Sequence, residues 1–513
     1  MVSDLTPVIV GVGEASERID EAGYRALSPA DLAGLAARVA LDDALSVDVL
    51  APHIDLIAAI RQFEVSLPGL VPPFGASSNF PRSVARRIGA DPARAVLEPV
   101  GGQGPQHLVN EFAHAIARGE VKMALLVGSE AISTVRHLGA KGEKPDWSET
   151  VDGSLEDRGF GDLGFDKAFF SHGARTPINR YALCENARRA RLGLDRAAYR
   201  LAMGALFAPF TQVAAANPHA MSREVYSAGE LATVTASNRL TSDPYPRRVV
   251  SRDQTNQGAA VLMTSVGQAR ALGIPEERFV YLHGGADATE RAMLERQDLS
   301  RSPAALLAAR HAMAVAGVDV ADIGCFDLYS CFPIAVFNIR DGLGIAADDP
   351  RSLTLTGGLP FFGGAGNNYS MHAIAAMTRA LRAAPDSTGF VGANGGDLSK
   401  YSVGIYSTRP KPWTGFSSEA LQAEIDGWPA PPLTAPATGA GVVETYIVDY
   451  SRAEPTAMVI GALEADGSRF MARSASDGAA IVQSMIDHDP LGARVTLTLD
   501  DKGHTVIHSL TPA

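Results

Sequence analysis

The stretch Thr356–Gly396 reads TGGLPFFGGAGNNYSMHAIAAMTRALRAAPDSTGFVGANGG. It opens on a glycine-rich turn, with Gly357, Gly358, Gly363, Gly364 and Gly366 close together. Glycine there tolerates positive φ and lets the backbone come close to a ligand. A helix is expected from about Tyr369 to Ala383, because Met371, Ile374, Ala375, Met377 and Leu381 recur at mostly helical spacing. Pro385 breaks it, Gly389–Ala393 reads as a short buried strand, and Gly395–Gly396 closes the unit. Glycine loop, helix, strand and glycine loop is a layout that aims backbone amides at an anionic or carbonyl-bearing ligand.

The same layout occurs once more in Val100–Glu130, VGGQGPQHLVNEFAHAIARGEVKMALLVGSE. Gly101, Gly102 and Gly104 precede an amphipathic helix over about Pro105–Arg118, and the strand Met123–Val127 ends at Gly128. Two copies of one supersecondary unit imply a duplicated α/β architecture. The flanking sequence fits. Pro7–Val12 reads as a first strand. Ser28, Pro29 and Asp31 open a helix that carries Leu32, Leu35, Ala36 and Val39 on one face. Ile54–Ile60 and Ala95–Glu98 read as strands and Asn79–Ile88 as a helix. In the second half, Ala259–Thr264, Phe279–His283 and Cys325–Leu328 read as strands, and Pro303–Ala316 as a helix.

The alternation loosens over 132–237. Lys141–Asp166 is polar, Arg175–Phe207 is helical, and Asn217-Pro218 breaks the chain, as in a loop domain inserted over a site. The core ends near Trp413. Residues 421–441, with Pro429, Pro431, Pro432 and Pro436, read as a linker. Short strands over Val442–Val448, Ala457–Ala462, Ser468–Ala472 and Arg494–Leu499, with a helix near Gly478–Ile486, make 442–513 a small β-rich, OB-like domain. The expected division is 1–265 for the first half, including the inserted domain, 276–415 for the second, then the linker and the additional domain.

A chain of 513 residues exceeds one ordinary core. Apolar content of 46% and charged content of 20% are those of a soluble globular protein. No apolar run reaches the ~18 residues of a membrane span, and MVSDLTPVIVGVGE has no basic n-region or long h-region, so no signal peptide is expected. Cys184, Cys325 and Cys331 make no disulfide framework, which points to a reducing cytoplasm. The net charge of −12 argues against nucleic acid as a partner. Without CxxC or HExxH motifs, no metal is expected.

The segments GGQGPQHLVN…LLVGSEA (101–131), NQGAAVLMTS (256–265), DLYSCFP (327–333), GGLPFFGGAGNN (357–368) and GANGG (392–396), together with VIVGVG near the start, resemble the thiolase superfamily. The branch they are most similar to is the thiolase-like proteins with an additional C-terminal domain, labelled acetyl-CoA acetyltransferases. The resemblance implies two five-stranded halves in a layered fold, a loop domain between them, and a CoA-thioester site where four glycine turns meet. It implies an acyltransferase of lipid metabolism with coenzyme A or acyl-CoA as substrate or ligand and no covalently bound cofactor. It also implies a homodimer paired through sheet edges, with a monomer open because of the appended domain.

Residue by residue, the family's chemistry does not carry over. Gly101 stands at the place of the nucleophilic cysteine. Tyr329-Ser330-Cys331-Phe332 replaces the Asn-Glu-Ala-Phe motif, Gly364 replaces the Gly-His-Pro histidine, and Ala393 or Asn394 the second cysteine. Glycine does not replace a thiolate, so classical covalent acyl transfer is not expected. Two alternatives follow. One is a non-covalent, retro-aldolase-like CoA-thioester lyase with Tyr329 as acid/base. The other is a non-catalytic CoA-binding or scaffold protein.

The candidate catalytic residues are Tyr329, Ser330, Cys331, Asn367, Asn368 and His372. Gly101, Gln103, Gly364, Asn394, Arg247 and Arg248 are the candidate ligand-binding residues. Amides and hydroxyls at the turns are competent oxyanion donors without being nucleophiles. Each has a structural reading beside the functional one. Asn367 and Asn368 can tie down their own turn, His372 can be a buried, satisfied histidine, and Tyr329 a core aromatic. Cys331 reads as site-lining first and nucleophile second, Cys184 and Cys325 as core. In sterol-carrier-type thiolases a non-acylated cysteine holds the position of Cys331. Arg247, Arg248 and Arg252 are either a phosphate anchor or a solvated face. His137 and His172 lie in the inserted region without an obvious partner.

Overall fold

The computed structural model describes residues 2–162, 167–475 and 477–512. Its large sheet grows from strands buried on both faces, as strands covered by helices on either side must be. In chain order these are β1 (Pro7–Ser16), β2 (Leu56–Ile60), β3 (Arg94–Glu98), β4 (Met123–Glu130) and the two-residue β5 (Glu156–Asp157). A short hairpin, β6 (Leu240–Ser242) and β7 (Tyr245–Pro246), lies outside the sheet, and β8 (Gln257–Ser265) returns to it. The second half supplies β9 (Val280–Thr289), β10 (Cys325–Leu328), β11 (Thr388–Gly395) and β12 (Lys400–Ser407).

The duplication is visible in the strand order. β2-β4-β8-β1 in the first half matches β10-β11-β12-β9 in the second. In each set the first pair is parallel and the next two antiparallel. Val8 and Ile9 pair with Tyr281 and Val280, which joins the halves into one ten-stranded sheet. The halves differ at one edge. Among the described residues β3 has no strand counterpart beside β10, where Leu328 N donates to Leu353 O at 3.0 Å. The next amides, Leu355 and Thr356, donate instead to the Asp327 carboxylate at 2.8 and 3.2 Å. A ladder cannot form from donors already taken, so the second half has four strands rather than five.

Helices complete the layers. Ser28 caps Pro29–Ala44 through a reciprocal box: its hydroxyl accepts from Asp31 N at 3.1 Å, and its own N–H donates back to Asp31 Oδ2 at 3.2 Å. This helix and Phe80–Ile88 cover the outer face of the first half. Gly104–Ala117 and Tyr369–Ala383 run between the half-sheets, and each touches strands of both. Pro303–Ala316 and Pro333–Leu343 cover the second half. The result is helix, sheet, helix, sheet, helix.

After the core, Glu419–Asp426 is a helix with Leu421 and Ile425 buried, so the stretch read as a linker begins as ordered structure. β13 (Gly439–Asp449), β14 (Thr456–Leu463), β15 (Arg469–Ser474), β16 (Arg494–Leu499) and β17 (Thr505–Thr511) then close on themselves, because β13 pairs with both β14 and β16. The barrel does not hang free. β13 lies along helix Pro177–Leu192, where Asn186 Nδ2 donates to Tyr446 O at 3.0 Å and Thr445 Oγ1 to Leu183 O at 2.5 Å. Arg189, fully buried, reaches Asp489 Oδ2 at 2.5 Å and Oδ1 at 2.9 Å. Asp449 of β13 also pairs with Ser242 of β6.

Helix Pro29–Ala44 sits on β1 at glycine contact distance. A Cβ at Gly13 would lie 2.0 Å from Ala36 O, whereas one at Gly139 meets nothing within 4 Å. Gly13→Val should therefore destabilise by about 3 kcal/mol through overpacking against backbone. Gly139→Ala, inside helix Ile132–Lys141, should be neutral or stabilise by roughly 0.5–1 kcal/mol. Urea unfolding of the two variants checks the contrast, and equal effects would refute it.

Candidate functional site

Three of the expected turns meet at the N-terminal end of helix Gly104–Ala117. A Cβ at Gly102 would fall 2.3 Å from Tyr329 Oη and 2.6 Å from Asn394 O, and one at Gly395 would lie 1.8 Å from Gln103 Oε1. Only glycine permits this approach, and Gly101 at φ 155° also strains any other residue. Segments more than two hundred residues apart in sequence thus converge on Gly101, Gln103, Tyr329 and Asn394. The loop of Thr356–Gly366 winds past the same centre. Leu359 N donates to Ser330 Oγ at 3.1 Å, and Ser370 Oγ donates to Gly102 O at 2.7 Å. Gly364 faces outward from it, toward Ser251 and the Arg252 carbonyl.

The side chains at the centre are buried and neutral. Burial pushes the Cys331 thiol up to about 12, so it is protonated at neutral pH. The Tyr329 phenol is pushed well above its ordinary range, first by burial and then by Cys331. As a protonated group it donates hydrogen bonds and does not abstract protons. Asn394 Nδ2 donates to Tyr181 Oη at 2.7 Å and lies 3.9 Å from Cys331 Sγ; Tyr181 in turn donates to Gly396 O at 2.7 Å.

The other candidates divide. Asn367 Nδ2 donates to Arg61 O at 2.8 Å, which ties the glycine loop to the first half of the chain rather than to its own turn. Asn368 packs against Gly128, and both of its buried amide atoms lack protein partners. Gln103 Oε1, Thr255 Oγ1 and Gln257 Oε1 are likewise buried and unpartnered around the glycine loops. His372 is fully buried, with Nδ1 2.6 Å from Glu14 Oε1. Burial alone would raise Glu14, but the hydrogen bond and charge of His372, with His219 and Arg379, hold it down at about 2. His372 therefore belongs to a buried ionic cluster on β1, and its ring packs on Phe362 rather than on Tyr329.

Sequence reading passed over several supporting residues. Asp327 accepts from Leu355, Thr356, Thr354 and Tyr369 and so fixes the start of the glycine loop. Tyr369 packs edge-on against Tyr329 at 5.4 Å. Glu130 lies under Gly366 and accepts from Phe63 N at 2.8 Å. A carboxylate inside an otherwise apolar strand was the available signal for both acids.

Arg247 and Arg248 line a cavity of about 520 Å³ together with Arg239 and Arg252. Among the described residues none of the four is ion-paired, and the one carboxylate in the lining, Asp253, is held by Arg136 at 2.6 Å. Pro360 and Phe361 of the glycine loop form part of its wall. Ser251 N donates to Cys331 O at 3.0 Å and Arg252 N to Leu359 O at 3.1 Å, so the arginine loop is strapped to the turn that carries Tyr329.

These features can be set beside known proteins. The crystal structure of a monomeric SCP2-thiolase-like protein type 1 from Mycobacterium smegmatis is 47% identical, with 99% of each chain covered and a TM-score of 0.85. The chain belongs to the SCP2-thiolase-like protein type 1 family. The family model of the thiolase-like protein type 1 additional C-terminal domain matches residues 420–502, which hold most of the barrel. At the level of fold alone, the Ltp2-ChsH2(DUF35) aldolase is similar at 18% identity, covering 79% of this chain and 98% of that one, with a TM-score of 0.57. So is the Acat5 thiolase from Ascaris suum in complex with coenzyme A, at 15% identity, 78% and 99% coverage and a TM-score of 0.55. No curated protein matches the chain. Among the described residues no helix is long and apolar enough to cross a membrane.

Glu130 yields a prediction on pH. Burial, opposed by the Phe63 N–H and aided by Glu64, raises its carboxyl from 4.5 to about 8. Below the unfolded value both states hold the proton. Between the two values only the folded state keeps it, so stability falls as pH rises and the penalty is complete above about 8. Glu130→Gln should therefore stabilise the protein at pH 9 by about 1–3 kcal/mol more than at pH 4. Chemical denaturation at both values reads this directly, and a pH-independent effect would contradict it.

Proposed function

We propose that this protein binds a CoA thioester non-covalently, with the nucleotide phosphates held by the Arg239, Arg247, Arg248 and Arg252 cavity and the thioester directed toward Gly102, Tyr329 and Asn394. The observation that carries the proposal is the strap between Ser251 and Cys331, which sets four arginines without ion-pair partners among the described residues against the wall of the glycine-turn centre. Guanidiniums suit phosphate oxygens in geometry and charge. A thiolase of the same fold holds coenzyme A. The unpartnered amide atoms of Gln103 and Asn368 are of the type that polarises a carbonyl oxygen.

Classical thiolase turnover is not part of this reading. Glycine stands at the nucleophile's place, and the Cys331 thiol, at about 12, is a poor source of thiolate. A second reading, a retro-aldolase-like lyase, is favoured by the aldolase of this fold and by the place of Tyr329 beside Gly102. In that role Tyr329 would donate to the substrate carbonyl, since its raised phenol does not serve as a base.

The same geometry favours a monomer over the dimer expected from the superfamily. β5 pairs along the outer edge of β3, and Arg158 binds Glu98, Glu111 and Glu156 at 3.0, 2.7 and 2.9 Å across it. An edge already paired and charged resists a second chain. Light scattering after gel filtration should give the mass of one chain, and a dimer would overturn this.

Isothermal titration with CoA and acetyl-CoA tests the main reading. Both should bind, and the Arg247→Ala/Arg248→Ala double variant should bind at least ~10-fold more weakly. Mass spectrometry after acetyl-CoA incubation should show no acyl adduct. No heat with either ligand would leave only the scaffold role. Turnover of a CoA substrate that Tyr329→Phe leaves unchanged would end the lyase reading.

A further inference from the structure

A second cavity, of about 990 Å³, opens on the other side of the inserted domain and shares no lining residue with the arginine cavity. Its floor is one face of helix Arg196–Ala216. Ala202, Ala205, Leu206, Pro209, Phe210 and Val213 recur there at the three- and four-residue spacing of a single helical stripe. Phe337, Ile345 and Leu353 close the opposite wall. Ala205 and Pro209 are exposed to this space although both are apolar.

The rim is cationic. Arg188, Arg191, Arg301, Arg340 and Arg351 line it, against Asp341 and Asp349 in the lining and Asp298 beside it, which pairs with Arg301 at 3.0 Å, so five cations face three carboxylates. Asp349 is taken up by Arg351 at 2.7 Å. Asp341 serves three guanidiniums at once: Arg188 at 2.6 Å, Arg340 at 3.0 Å and Arg191 at 3.9 Å. One carboxylate cannot neutralise three cations. Arg188 and Arg340 are further held in place over the Phe337 ring, 3.8 and 4.8 Å from its centre. Arg191 feels the residual field. Burial first, then Arg301 and Arg188, lower it from the ordinary arginine value. An anion placed here relieves repulsion already built into the fold.

An apolar trough with a surplus of guanidiniums at its rim matches one ligand chemistry, an anionic head on an aliphatic chain. The volume lies within the ~300–1,000 Å³ usual for small-molecule sites. We propose that this cleft binds a medium- or long-chain amphiphilic anion, with its head at Arg191 and Arg340 and its chain along the Ala202–Val213 face. The head is a carboxylate or a phosphate monoester, which share the recognition. The site lies across Phe210 from the glycine-turn centre, since a Cβ at Gly358 would touch both Phe210 and Ser330, 2.7 Å from each. The proposal does not rest on CoA binding.

The test is calorimetry on the full chain with dodecanoate and with dodecyl phosphate, each below its micellar concentration, and with acetate and inorganic phosphate as headgroup controls. At least one twelve-carbon ligand should bind, and neither short anion should. Binding of dodecanoate alone identifies a carboxylate site, and binding of dodecyl phosphate alone a phosphate site. Ala205→Trp, at an exposed helical position, should fill the trough and abolish the heat with an unchanged thermal midpoint. Arg191→Gln should weaken binding at least ~10-fold, and because it removes a crowded cation it should fold as well as the parent. Neither variant should alter the response to CoA. Absence of binding by both long-chain ligands, or binding that survives both substitutions unchanged, would overturn the proposal.

Discussion

The structure depends on how closely two buried helices can bring backbone together. Gly104–Ala117 and Tyr369–Ala383 lie between the half-sheets and touch both. The turns that lead into them therefore meet at one level of the sandwich. Gly102 lies where a single methyl group would strike the Tyr329 hydroxyl and the Asn394 carbonyl. Glycine here is a packing requirement first. At Gly102 backbone occupies the space beside Tyr329, and at Gly101 a Cβ would meet the Gln103 amide instead.

Electrostatics around that centre follow a consistent division. Three side chains at the centre, Cys331, Tyr329 and Tyr181, are held protonated by burial. Charge lies around them, in the buried Glu14–His372 and Arg180–Asp397 pairs and in the two arginine-rich cavities. Low dielectric strengthens every hydrogen bond that a donor at the centre makes to an incoming oxygen. The peripheral arginines supply long-range attraction to anions. That division suits recognition of a charged ligand whose reactive part is uncharged.

The appended barrel is joined to the loops that line the first cavity. β13 docks on helix Pro177–Leu192 and pairs with β6, and Arg239 and Thr241, at the start of that hairpin, line the first arginine cavity. The chain of contacts from barrel to cavity is a few residues long. Tyr446 Oη donates to Asp243 at 2.6 Å and accepts from Arg196 at 2.9 Å, which fixes the hairpin from the barrel side. Without the barrel Arg189 would lose Asp489 and Asn186 would lose the Tyr446 carbonyl, while Asp243 would keep Arg196 at 2.9 Å.

Much of the fold was legible because it is written in local terms. The N-cap at Ser28, the helical spacing of Met371 to Leu381, and the repeated glycine–helix–strand unit are each set by residues close in sequence, and each forms as read. β12 and β17 were not legible. Lys400–Ser407 follows a glycine turn with mixed polarity, and its burial comes from neighbours β11 and β9 rather than from its own pattern. Five strands were expected in the second half and four formed, because Asp327 takes the amides that the fifth would use. The sequence by itself determined the duplicated α/β plan, the additional β-rich domain and the glycine at position 101. Only the tertiary structure decided that Gly102, Tyr329 and Asn394 touch, that His372 serves Glu14, and that the arginines form two separate cavities. Residue type and spacing set what a segment can become. Which distant segments share a volume depends on how the layers stack.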